Sequence, residues 1–241
     1  MSKKILCCIF SYDITKGMKS YGHIGLLKSN DKTSTKDLLY NCIKLTQKSF
    51  KYKSLYTVLG FEAEKIKKKI EAYKFQTHIL LNNKYSESNQ GHAFKLFLSH
   101  LATIDLTGVS GVVFLPVNIL IHKLPKINYK KSWVVIKKKY KKYETNDIGC
   151  TINNNMINYM FYGIGSYLWT EVLFLSTKDI QTILKNTDNY YDNMFLFEVI
   201  NTMIEKQKIQ ISTVKLDRTS DIVKINGIKD KSKIKTKDTI R

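Results

Sequence analysis

Residues 54–97 constrain the fold more than any other part of the chain. A strand-like S-L-Y-T-V-L-G-F leads into a lysine-rich helix. The I-L-L-N-N-K-Y-S-E-S-N-Q-G-H-A-F that follows joins a second strand to a polar loop and another helix start. Strand, helix, strand and a loop opening a further helix form half of an α/β unit built on a parallel sheet. In such units ligands sit at the carboxyl ends of the strands. Here Asn82, Asn83, Asn89 and Gly91 supply amide groups and close backbone approach.

The pattern extends in both directions. Residues 5–10 read as a first buried strand, followed by the polar S-Y-D-I-T-K-G-M-K-S-Y-G-H-I-G. Thr35 is placed to cap a helix over 36–49. Strands are expected at 55–60 and 76–81, and helices at 62–73 and 91–102. Residues 109–115 are apolar throughout, as a central strand should be, and Pro116 should end its ladder. Beyond it the sequence predicts a strand at 132–137 with a solvated lysine extension to 142, and a hairpin over 151–160 around Asn153, Asn154 and Asn155. A strand at 167–175, a helix to 184 capped by Thr177, a helix at 194–205 and a strand at 209–216 complete the pattern. The stretch from 226 to 241 is polar and lysine-rich and reads as a flexible basic tail. The expectation is an α/β protein with one Rossmann-like domain over 1–225, its mixed, mostly parallel central sheet flanked by helices.

A length of 241 residues with 43% hydrophobic content suffices for one sizeable core. No apolar run reaches membrane-spanning length, and the start is too short in apolar residues for a signal peptide. The chain therefore reads as soluble and cytoplasmic, in the host cytoplasm or a virion if viral. Cys7, Cys8, Cys42 and Cys150 sit in apolar settings without metal-ligand spacing and read as buried reduced thiols. The net charge of +20 comes from lysine, since Arg218 and Arg241 are the only arginines. Such a surface attracts polyanions, nucleic acid included, without the arginine fork that reads bases.

In order and spacing, residues 4–225 resemble the nucleotidyltransferases of the GT-A-like fold, which couple sugar phosphates, phosphocholine or related alcohols to a nucleotide. Lys16-Gly17-Met18-Lys19 is similar to the glycine-rich signature with its closing basic residue, and Leu26-Leu27-Lys28 to the proline-lysine step after it. Residues 57–66 resemble the second strand and acidic helix start, and 83–94 the segment before the base-contacting helix. Tyr190-Tyr191-Asp192, then Val214-Lys215-Leu216-Asp217 with Asp221, resemble the final helix and acidic strand.

The resemblance implies that a phosphate oxygen attacks the α-phosphorus of a nucleoside triphosphate and pyrophosphate leaves. It implies that Lys19 and Lys28 meet the phosphates, that Gly17, Asn89 and Gly91 hold the nucleotide, and that Asn118, Asp217 and Asp221 stand where Mg2+ is bound. Asn118 replaces the usual aspartate, Leu27 the usual proline, Lys19 the usual arginine, and the loop keeps one glycine. Four changes at one site point to lost or altered catalysis. Two functions follow: a nucleotidyltransferase acting on a phosphorylated small-molecule acceptor, or a catalytically degenerate relative serving as a structural or polyanion-binding component of a viral or other large assembly.

Overall fold

The computed structural model describes residues 4–29, 36–138, 147–185, 189–206, 209–217 and 220–234; the side chains of Lys19, Asn189 and Tyr190 lie outside that description. Thr35, Arg218, the lysine extension beyond Lys138 and residues 235–241 also fall outside it. The elements run β1 (Lys4–Ser11), α1 (Leu38–Phe50), β2 (Ser54–Leu59), α2 (Ala63–Ala72), β3 (His78–Leu81), α3 (Gln90–Leu101) and β4 (Val109–Pro116). They continue with β5 (Ile119–Lys123), β6 (Trp133–Lys138), β7 (Ile148–Asn153), β8 (Met156–Tyr162), β9 (Tyr167–Ser176) and α4 (Thr177–Leu184). The last are α5 (Leu196–Glu205), β10 (Ser212–Lys215), β11 (Asp221–Lys224) and a 3-10 helix over Ile228–Lys233.

The main sheet has the order β3-β2-β1-β4-β9-β6-β10-β8-β7. Its first four strands are parallel. Alternation along β1 sends Ile5, Cys7 and Ile9 toward α1 and α2, and Leu6, Cys8 and Phe10 toward α3 and α5. The adjacent thiols Cys7 and Cys8 thus enter opposite halves of the core, where burial pushes both well above the ordinary value. In α2, Ile66 and Ile70 are the residues fully removed from solvent. Each contributes about 2 kcal/mol by burial, which anchors an otherwise lysine-covered helix.

The second half is antiparallel and folds back on itself. β9 pairs with β4 through residues 173–176 and with β7 through residues 167–168, while β6 lies along its other side. The circuit β9-β6-β10-β8-β7 is thereby closed, which hides strand edges that would otherwise be exposed. Between its two pairings β9 carries a bulge and Glu171, whose φ of 63° lies in the left-handed region. The hairpin expected around the asparagines is present, with Asn154 and Asn155 both at positive φ, the conformation of a two-residue turn whose twist suits the strands. Buried Asn201 of α5 serves β8, its Oδ1 accepting from Met160 N–H at 2.9 Å and its Nδ2 donating to Met160 O at 2.7 Å.

The α/β class and the mixed sheet flanked by helices agree with the sequence. Pro116 is the last β4 residue paired with β1. Several details differ. Asp37 caps α1, accepting from Tyr40 N–H at 3.0 Å, and Ser176 rather than Thr177 caps α4. The small sheet of β5 and β11 was not expected, because five residues directly after a proline-ended strand give no separate signal. Within the expected flexible tail, Ile228–Lys233 form a 3-10 helix followed by Ile234, which is buried, as is Ile225 before the tail. Widely spaced isoleucines supply the anchoring that a mostly polar composition conceals. Among the described residues no helix is long and apolar enough to cross a membrane.

Candidate functional site

β1 connects rightward through α1 and α2 to β2 and β3, whereas β4 lies on its other side and is reached through α3 on the opposite face. The strand order therefore reverses between β1 and β4, and a crevice opens at their carboxyl ends. A cleft of about 340 Å³ occupies it. From the β1 end come Tyr12, Asp13 and Lys16; from the β4 end, Asn118; from the closed antiparallel ring, Glu171; and from β11 of the small sheet, Lys224.

Backbone contacts fix both lips. Phe61 N–H donates to Tyr12 O at 2.9 Å, and Val117 N–H donates to Phe10 O at 2.8 Å. Asn118 binds the end of β11 twice, with its Nδ2 donating to Ile225 O at 3.0 Å and its carbonyl accepting from Ile225 N–H at 2.9 Å. That pairing brings Lys224 over the cleft, where it forms an ion pair with Glu171. A left-handed non-glycine residue costs on the order of 1–2 kcal/mol, which the ion pair helps offset while aiming the carboxylate inward.

Asp13 is open to solvent on one side but surrounded by protein atoms on the other. Loss of hydration, reinforced by the Glu171 charge, raises its carboxyl above the usual range. His23 lies at the base of the cleft and is 1% exposed. Its Nδ1 accepts from Gly25 N–H at 2.9 Å, which leaves the ring proton on Nε2, 3.5 Å from Ser11 Oγ. Burial depresses its pKa to about 4, against a smaller upward pull from Glu62, so the ring is neutral near pH 7.

Beside this cleft lies a second chamber of about 570 Å³, which shares Ile148, Glu171, Lys224 and Asn226 with it. Its wall adds Lys137, Lys138 and Lys233. The Glu171–Lys224 pair stands at the partition between the two.

The residues singled out from the sequence are distributed unevenly. Asn118 lines the cleft. Gly17 sits in a turn at φ 78° with open space around it, beside a hollow of about 420 Å³ shared with Lys16 and Asn226. Lys19 lies on the 3-10 turn Lys19–Tyr21. Lys28 is exposed, bridged by backbone to Asp37, and does not line the cleft.

Asn89 and Gly91 tie the start of α3 to the segment before α5. Asn89 Nδ2 donates to Asn193 O at 2.7 Å, and Gly91 N–H donates to Met194 O at 2.9 Å. A Cβ on Gly91 would lie 2.1 Å from Tyr191 O, so the glycine permits a close crossing of two chain segments. Their neighbour Gln90 is the residue of this group that reaches the cleft.

The residues expected to hold Mg2+ are not brought together. Asn118 spends its amide on Ile225, the Asp217 carboxylate accepts from Ser220 Oγ at 2.8 Å, and Asp221 starts β11 opposite Lys123. Three strand residues, about 10 Å, separate Asp221 from Lys224 at the cleft. Among the described residues no group of three histidine, cysteine, aspartate or glutamate side chains converges on a metal position. The carboxylates that share the cleft with Asn118 are those of Asp13 and Glu171. Sequence reading passed over Asp13, His23, Glu171 and Lys224. Asp13 had a signal, its place two residues past the first strand; Glu171 had none, since it reads as one more strand residue.

No protein-family model matches the sequence, and no curated protein matches it either. Solved structures do match the fold. The CTP:phosphocholine cytidylyltransferase of Streptococcus pneumoniae superposes with a TM-score of 0.72 at 14% identity, covering 95% of this chain and 97% of that one. A nucleoside-diphosphate-sugar pyrophosphorylase from Vibrio cholerae gives 0.70 at 10% identity, over 95% and 98%. The inositol-1-phosphate CTP transferase of T. maritima gives 0.66 at 10% identity, over 95% and 92%. The fold is nucleotidyltransferase-like over nearly the full length of all three.

Proposed function

We propose that this protein binds a nucleoside triphosphate and a phosphorylated small-molecule acceptor side by side and couples them with release of pyrophosphate. The observation that carries this reading is a two-chambered cleft at the reversal of strand order, the larger chamber lined with lysines. The nucleotide belongs at the carboxyl ends of β1 and β4, with Lys16 toward its phosphates. The acceptor phosphate belongs in the adjoining chamber, where Lys137, Lys138 and Lys233 offer positive charge.

An acceptor phosphate oxygen attacks the α-phosphorus, a new P–O bond forms, and the bond to the β-phosphate bridging oxygen breaks. Pyrophosphate carries away the electron pair, and no proton transfer is required. The chain's part is to hold the reactants in line and to place ammonium groups where phosphate charge accumulates. Lys224, already paired with Glu171, can exchange that partner for a phosphate oxygen.

The scattered metal-ligand positions favour a second reading, in which the cleft binds a nucleotide without turning it over. Calorimetry with the four ribonucleoside triphosphates, followed by a pyrophosphate-release assay with phosphocholine and sugar 1-phosphates, separates the two. Pyrophosphate formed only with an acceptor present supports transfer. Nucleotide binding alone supports the second reading, and no binding overturns both.

A further inference from the structure

The opposite end of the parallel strands carries a second concavity. A groove of about 740 Å³ runs past the amino-terminal ends of β2 and β3, lined by Lys44, Lys53, Lys74, Tyr52, Tyr73 and Phe75 among others. Among the described residues that line it there is no aspartate or glutamate. The three lysines are exposed and the three rings half-buried, so the charges stand at the rim and the aromatic surface below.

The lysines gather around the rings. Lys44 Nζ lies 5.5 Å from the Phe75 centroid, and Lys36 and Lys69 lie 5.1 and 5.8 Å from that of Tyr73. The nearby carboxylates of Asp37 and Asp105 are hydrogen-bonded. Asp37 accepts from the Tyr73 hydroxyl at 2.6 Å, and Asp105 accepts from Thr107 N–H at 2.8 Å.

Compensation of helix dipoles does not account for this much charge. α1 and α2 both end here, and each carboxyl terminus carries about half a negative charge. One lysine would balance the two helix ends, whereas three line the groove and two more sit over Tyr73. The surplus at Lys44, Lys53 and Lys74 faces solvent beside half-buried rings, of which Tyr73 and Phe75 lie edge to face with centroids 6.1 Å apart.

We propose that this groove binds single-stranded nucleic acid, with the lysines following the phosphodiester chain and the rings stacking on bases. That combination defines a sequence-tolerant strand site that needs no arginine. The site is remote from the cleft and does not depend on the transferase reading.

Fluorescence anisotropy with a labelled oligothymidylate of about 12 nucleotides tests it. The triple substitution Lys44→Gln, Lys53→Gln, Lys74→Gln should weaken binding at least about tenfold and lower the slope of log affinity against log salt by about 2. An equal change of charge at exposed Lys126, Lys130 and Lys178 should leave the affinity within about twofold. Phe75→Leu, which keeps apolar volume and removes the ring, should weaken binding about fivefold with an unchanged thermal midpoint. The proposal is overturned if wild-type protein fails to bind at low salt, if both triple variants lose affinity equally, or if base-free polyphosphate of matched charge competes as well as the oligonucleotide.

Discussion

The two ends of the same parallel strands differ in charge and in construction. At the carboxyl ends, Asp13 and Glu171 stand against Lys16 and Lys224 in a cleft assembled from both halves of the molecule. At the amino ends, a groove lined by lysines and aromatic rings, with no carboxylate among its described lining residues, is built from residues 44–78 alone. The cleft depends on bonds between distant segments, such as Asn118 to Ile225 across 107 positions and Asn89 to Asn193 across 104. A site made of such bonds should be sensitive to small structural changes, while a site of exposed side chains on local structure should tolerate them.

The severest test of that contrast is Gly91→Val. Its side chain would collide with the Tyr191 and Met194 carbonyls, and we expect a loss of about 3–4 kcal/mol in urea unfolding. A loss under about 1 kcal/mol would mean that the segment before α5 is free to move and the cleft is not fixed by this crossing.

The pH dependence should be nearly as large. His23 has a folded pKa of about 4 against an ordinary 6.5. As pH falls from 6.5 toward 4 the unfolded chain takes up the proton first. The stability from the neutral buried ring is therefore complete above 6.5 and drains away across that window, by about 3 kcal/mol. His23→Asn, which keeps an acceptor for Gly25 N–H, should flatten the profile between those values in unfolding measured at a series of pH values.

At the partition, Lys224→Met should cost about 2 kcal/mol, because Glu171 keeps only 12% of its side chain exposed and loses its cation. Adding Glu171→Gly removes the stranded carboxylate and relieves the left-handed backbone. The double variant should then recover about half the loss, as a double-mutant cycle by thermal unfolding would show. If the second change costs as much again, the two residues act independently and the partition is not a unit. The groove should give the smallest effect on stability: the Lys44, Lys53, Lys74 glutamine triple variant should unfold within about 0.5 kcal/mol of wild type. It should also bind nucleoside triphosphates in the cleft unchanged.

The same contrast explains what could be read beforehand. Ile66 and Ile70 four residues apart, the apolar run at 109–115 and the paired asparagines at 154 and 155 report local backbone geometry, and the elements formed where they indicated. Asn89 and Gly91 carried a real signal, and what they contact was not legible in it. A small residue at a helix start can serve a ligand or another strand of chain, and here Tyr191 and Met194 take the space. Lys28 follows the first loop in order yet does not line the cleft, its backbone bridging to Asp37 after the turns at Lys19–Tyr21 and Ile24–Leu26.

By itself the sequence determined the alternation of strands and helices, the two-sided burial of the central strands and the excess of lysine, since periodicity and composition act through neighbours a few positions apart. The tertiary structure alone decided that β9 turns from β4 to β7 at Glu171, that Lys224 meets it across 53 positions, and that Asp217 and Asp221 stay away from Asn118. Those outcomes follow from strand order and register, and a shift of one residue in either would leave every local pattern intact while moving each of these side chains to another face.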